Sequence, residues 1–311
     1  MDALALIEGR ASVRRFAPEP IPEADLERIL AAAQRAPTDA GAQLYSILRV
    51  RDPALRRRLA EVAGGQPHVE EAPEFFVLLA DLYRVGRVLE LAGHTPGHFP
   101  RSGLHFAVID AALAGAFLEL AARALGYGAV WVGGLLNEAE ALVRLLALPP
   151  GVFPVAGLAI GRPAEAPRPR PRLPGRLVVH TDRYQAYEEA ALAEALSVMG
   201  TRWLRVLAHY FGREGVMEAR DPAFGRAKAK QGFADDLTAS AAALLESGSL
   251  GEAIQELLGS GWRGVLFGAD EVWIEAEDRA FRGEGETPGE ALAQAVRASR
   301  EEGSFGPFER G

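Results

Sequence analysis

Residues 74–81, EFFVLLAD, are continuously apolar from Phe75 to Ala80. A run of strand length that does not alternate offers no face to water, so both of its faces need cover. This predicts a central strand with helices packed on each side. The region 106–125 is the richest source of such cover, and its pattern predicts a long apolar helix over roughly 103–125. Small residues along it (Ala107, Ala111, Ala112, Ala114, Gly115, Ala116) would allow another helix to approach closely. Asp110, Glu119 and Arg123 interrupt it, which favours a buried helix over a membrane span.

The flanking segments read as alternating helices and strands. Ile21 to Pro37 is an amphipathic helix started by Pro22, with acids in its first turn. Residues 45–52, YSILRVRD, alternate like a strand, and ALRRRLAEVAGG is a helix closed by Gly64 and Gly65. AVWVGG at 129–134 reads as a strand leading into a helix capped by Asn137, with Glu140 completing a capping box. VFPVAGLAIG at 152–161 is a further strand, whose Pro154 suggests an edge or entry position.

After Gly161 the composition changes. RPAEAPRPRPRLPGR can form neither a regular helix nor a central strand and is expected to run extended along a surface. Helical patterns return from Tyr184 to Phe211, and residues 212–232 look like a loop-rich boundary. The tail predicts helices near 234–246 and 249–258, strand-like GVLFG and EVWIEAE, a Gly/Glu turn and a last helix opened by TPGE at 287–290. The expected organisation is therefore a main α+β domain over 1–211, a linker over 212–232 and a small α+β accessory domain over 233–311.

Composition narrows the chemistry. The chain has no cysteine, which removes disulfides, thiolate nucleophiles and Cys-ligated metals, so redox work needs a bound cofactor. A formal net charge of -8 argues against a nucleic-acid surface. The acidic start MDALALIEGR lacks a secretory leader's pattern, and a cytoplasmic location is the expectation. His94 and His98 have i,i+4 spacing, but Pro96 and Gly97 intervene and no third ligand is evident, so no metal site is expected. Neither a G-x-S-x-G elbow nor a P-loop occurs.

Three stretches carry candidate chemistry. In RASVRRF, residues 10–16, Arg10, Ser12 and Arg14 could grip a phosphate through guanidinium forks, a hydroxyl and nearby backbone amides; a solvated arginine patch fits the same residues. In VGGLLNEAE, Gly133 and Gly134 at a strand end would let a ring approach the backbone, or would serve simple turn chemistry. Arg168, Arg170 and Arg172 alternate with prolines, as in a fixed extended spacer or an ordinary surface linker.

Taken in order, RASVRRF with PEPI and a helix, Gln43 before YSILRVRD, AGGQPHVEEAPEFFVLLAD, GYGAVWVGGLLNEAEALVRLLALP and the segment ending RPRPRLP resemble the FMN-dependent nitroreductase family. The likeness is nearest to its nitroreductase A or NADPH-flavin oxidoreductase branch and covers residues 1–200. It implies an α+β fold with a central, mainly antiparallel sheet surrounded by helices. It also implies a homodimer with FMN at the subunit interface and NADPH or NADH as co-substrate. The implied activity is ping-pong hydride transfer to nitroaromatics, quinones or free flavins. Arg10, Ser12 and Arg14 would hold the FMN phosphate, helped by Arg172 and Arg170. Gln43 would lie against the flavin or ribityl chain. Gly133 and Gly134 would lie beside the isoalloxazine, with Trp131 and Val132 shaping the same wall. The branch's serine-rich segment is replaced by TDAG at 38–41, and Arg205, Arg213 and Arg220 are the candidates for reading a 2'-phosphate. Flavin-fragmenting or dehalogenating chemistry on the same fold, or a flavin- or protein-binding module acting through the tail, are the alternatives.

Overall fold

A computed structural model describes residues 2–97, 99–233, 264–267, 271–276, 279–284, 292 and 294–295. The sheet of the main domain is antiparallel, in the order β1 (Tyr45–Arg49), β2 (Glu74–Asp81), β4 (Val152–Gly161), β3 (Gly128–Val132). Strand β2 is buried at every position, as its unbroken apolar run requires. Phe75, Val77 and Leu79 enter one core with Leu59, Val69, Val132 and Leu142, whereas Phe76 enters another with Leu26, Ile29, Leu118 and Leu158. The strand's period of two thus feeds two helical layers.

The first layer holds α3 (Pro53–Val62), α4 (Pro67–Glu71) and α7 (Ala139–Leu145); the second holds α2 (Glu23–Ala33) and α6 (Pro100–Ala124). Asp52 caps α3 by accepting the Ala54 amide at 2.9 Å. In α2, Leu26, Ile29 and Ala33 face inward at helical spacing, and Asp25 in its first turn accepts Tyr127 Oη at 2.7 Å. Helix α6 is long and apolar enough to cross a membrane. Its surroundings account for that character instead: it packs on β1, β2, β3, β4 and α2, and its buried Asp110 and Glu119 are hydrogen-bonded inside the domain.

Pro154 stands near the entry of β4, where β2 is its one strand neighbour because β3 pairs only with Gly157–Gly161, an edge-like position of the kind the proline suggests. Three expectations need correction. Asn137 caps no helix, because residues 133–138 form a 3-10 turn and α7 begins at Ala139 without a side-chain cap. Residues 216–230, placed in a loop-rich linker, form helix α9 (Val216–Lys230), which follows α8 (Glu189–Phe211). Finally, Phe224 and Phe233 meet the Phe153 ring edge-on and Gly151 N donates to Gln231 O at 2.8 Å, so the packing of the main domain reaches Phe233.

In the tail, the two strand-like segments are present as β5 (Gly264–Phe267) and β6 (Glu271–Ala276), joined in an antiparallel sheet by β7 (Arg279–Glu284), which the sequence did not announce. The helices expected near 234–246 and 249–258, and the TPGE start, lie outside the described residues.

Candidate functional site

The RASVRRF segment runs extended along two neighbours. Val13 N donates to Ala129 O at 3.0 Å, Ala17 N to Arg162 O at 2.9 Å, and Phe16 bridges Pro163. Gly128 makes room for this: a Cβ there would stand 2.5 Å from Val13 Cγ2. Glu165 takes the amides of Arg14 and Arg15, at 2.6 and 3.1 Å, and these bonds hold its carboxyl below the usual carboxylate range. The amides of Val13, Arg14 and Arg15 are therefore committed within the fold. An anion here gains nothing from those three amides and meets the side chains around them.

Those side chains converge. A cavity of about 150 Å³ is lined by Arg10, Ser12, Arg14, Arg168, Arg170 and Arg172, together with Ala11 and Pro167. Five guanidinium groups and a hydroxyl, with no carboxylate among the lining residues, suit a compact dianion such as a phosphate monoester. Arg172 also donates to the carbonyls of Arg170 and Pro171, which ties its guanidinium to the backbone of its own segment.

The end of β3 opens a second, larger cavity of about 860 Å³, lined by Gly133, Gly134, Ala63, Gly64, Gln66, Leu136, Asn137, Tyr210, Met217, Arg220, Asp221 and Phe224. A Cβ on Gly133 would meet nothing within 4 Å, so this backbone lies bare to a planar ring. Gly134 is glycine for a different reason, since a Cβ there would lie 2.7 Å from Ala63 O and 2.5 Å from Gln66 Nε2. Two lining features escaped sequence reasoning. Gln66 follows the glycines that close α3, and its Nε2 donates to Ala63 O at 2.8 Å. Helix α9 supplies Met217, Asp221 and Phe224, and its attachment to Glu140 of α7 through Lys230 (2.9 Å) and Arg226 (3.4 Å) holds that wall in place. Burial raises the Glu140 carboxyl, but these two cations outweigh it and leave the group below its ordinary value. Of the three arginines considered for a 2'-phosphate, Arg220 lines this cavity; Arg205 and Arg213 are exposed and do not.

Trp131 and Val132 precede Gly133 on β3 and are not among the residues lining the large cavity. Val132 is buried in the β2 core, and Trp131 Nε1 points to Glu119 on α6 at 2.6 Å. Gln43 lies apart from both cavities, in a third of about 550 Å³ with Gln34, Tyr45, Ser46 and Arg84. Its loop is strongly held. Buried Asp110 accepts the amides of Asp39 and Leu44, both at 2.9 Å, and Arg84 donates to the carbonyls of Gln43 and Tyr45. Left-handed φ angles at Ala40 (48°) and Gln43 (54°) show why the loop needs such ties. Among the described residues no cluster of His, Asp or Glu could hold a metal ion.

A helix-flanked antiparallel sheet thus bears an arginine-lined cavity and, at the end of β3, a bare glycine over a larger cavity, an arrangement with the chemistry to accept a phosphorylated, planar molecule. Residues 7–162 match the Nitroreductase family. The chain is 38% identical over 218 residues to the oxygen-insensitive NADPH nitroreductase of Salmonella typhimurium, covering 70% of this chain and 86% of that protein. It is 36% identical over 185 residues to the FMN reductase (NADPH) of Bacillus subtilis, covering 59% and 74%. The solved structure of NfrA1 nitroreductase from B. subtilis aligns with a TM-score of 0.64 at 27% identity, over 72% of this chain and 98% of that one. The chain belongs to the nitroreductase family.

Proposed function

We propose that this protein is an FMN-dependent oxidoreductase that uses NAD(P)H to reduce nitroaromatics, quinones or free flavins. The observation that carries this is the joint presence of the arginine–serine cradle and the bare Gly133 backbone on one nitroreductase fold. The residues fit FMN: Arg10, Ser12, Arg14, Arg170 and Arg172 would hold its phosphate, with Arg168 as an added donor, and Gly133 and Gly134 would lie along the ring. When bound, FMN supplies the hydride chemistry, which is why a chain without cysteine can be a redox enzyme.

The chain's own residues bind, orient and exclude water. Tyr210, Phe224 and Met217 give the cavity beside Gly133 an apolar wall suited to a flat acceptor or a nicotinamide, one after the other, in a ping-pong order. Arg220 on that wall is placed to meet a phosphate of the co-substrate, which favours NADPH.

The active unit is a homodimer. Within one chain Gln43 lines a separate cavity from Gly133, which supports a site shared between two copies. Exposed Leu4 and Ile7 on α1 (Ala3–Glu8), with Phe106, Ile109 and Phe117 on α6, supply apolar surface for that contact. The location is cytoplasmic, and the segment after Phe233 is an accessory domain. Purification tests the reading: bound or readily acquired FMN, bleached by NAD(P)H and reoxidised by an acceptor panel, is expected, with a dimer by light scattering.

A further inference from the structure

Glu119 lies in the most apolar stretch of α6, between Leu118 and Leu120, and is 6% exposed. A carboxylate is costly there unless its oxygens are matched. Both are. Oε1 accepts Arg10 Nε at 2.9 Å and Oε2 accepts Trp131 Nε1 at 2.6 Å. One turn further on, Arg123 donates to Gly9 O at 2.9 Å, so α6 also fixes the residue before Arg10.

The geometry has a chemical consequence. A guanidinium is a rigid planar fork, and binding its Nε to Glu119 sets the plane in which its terminal nitrogens lie. Arg10 lines the anion cradle, so those terminal nitrogens are what it offers there. The second bond holds the indole of Trp131 on β3, two residues before Gly133, against α6 where Gly115 leaves room for the ring.

We propose that Glu119 is a positioning residue that aims Arg10 into the phosphate cradle, with its second bond, from Trp131, holding the carboxylate in place for that task. This rests on the cradle being the FMN phosphate site. It also predicts a sign. Glu119 is an anion beside the cradle, and as an electrostatic bystander its removal would tighten phosphate binding. As a positioning group its removal weakens it.

The test compares the dissociation constants of FMN and riboflavin, which lacks the phosphate, for wild type, E119L, E119Q, R10A and E119L/R10A. E119L is expected to weaken FMN about tenfold, the scale of one charge-assisted contact, and riboflavin by less than about twofold. E119Q, which keeps one acceptor oxygen, should fall between wild type and E119L. The double variant should be no weaker than R10A, because both changes remove the same contact. Retained riboflavin binding shows that each variant is folded. FMN binding that is unchanged or tighter in E119L and E119Q, or riboflavin weakened as much as FMN, overturns the proposal. If R10A leaves FMN affinity unchanged, the cradle itself is refuted and the proposal with it; R10A weakened beside an unaffected E119L refutes Glu119 alone.

Discussion

Replacing Asp110 with asparagine should destabilise the protein and loosen the Gln43 loop together. The carboxylate gives one oxygen each to Asp39 N and Leu44 N and is 1% exposed. Asparagine has one acceptor oxygen, and its amide nitrogen would face the other N–H. The substitution removes a charge-assisted bond worth about 1.5–3 kcal/mol and leaves a donor unpaired at about 1–3 kcal/mol. Leu44 N is the buried partner, whereas Asp39 is exposed and its amide can turn to water if the loop opens. The relaxed cost is then about 2–3 kcal/mol, which lowers Tm by roughly 4–12 °C for a domain of this size. Denaturant unfolding gives the loss, and limited proteolysis between Thr38 and Gln43 reports the opening. D110N within about 0.5 kcal/mol of wild type, with no added cleavage, would refute the assignment of Asp110 as the loop's anchor.

Other outcomes follow from the same geometry. G115A should cost about 1–3 kcal/mol by overpacking, because its methyl would collide with Leu78 and stand 2.5 Å from Trp131 Cη2; a thermal melt measures it. His68 is held below its ordinary value by burial and then by the charge of Arg14. The unfolded chain therefore binds more protons below pH 6.5, and the stability His68 confers is full above that pH and is lost as pH falls through the lowered folded value. Urea unfolding across this range should show a shallower pH slope in H68Q. R220A should raise KM for NADPH by about tenfold or more and leave KM for NADH nearly unchanged, as steady-state kinetics would show.

What the sequence made legible was local. Strand β2 declared itself because burial on both faces demands an unbroken apolar run, and α6 because its length and composition suit a core helix. RASVRRF and the Arg/Pro segment could each be named, but their meeting in one cavity depends on β3 and β4 bringing residues 10–14 beside 168–172. Pro154 marked the start of β4, because a residue without an N–H is tolerated where no second strand pairs. Helix α9 was hidden by Pro222, Gly225 and a weak apolar stripe; contacts from Phe224, Arg226 and Lys230 stabilise it where intrinsic propensity does not. The Glu119 bonds were out of reach for a simpler reason: Arg10 lies 109 residues away.

One chain joins an arginine-lined cradle to a bare glycine edge, the arrangement proposed to hold FMN for hydride exchange. An anaerobic titration of the FMN-reconstituted protein with NADPH distinguishes this role from any other. Stoichiometric FMN uptake that R10A/R14A impairs, bleaching of the oxidised-flavin band by NADPH, and its return on adding a quinone are the expected results. A protein that takes up no FMN, or whose bound FMN stays oxidised under excess NADPH and NADH, would contradict it.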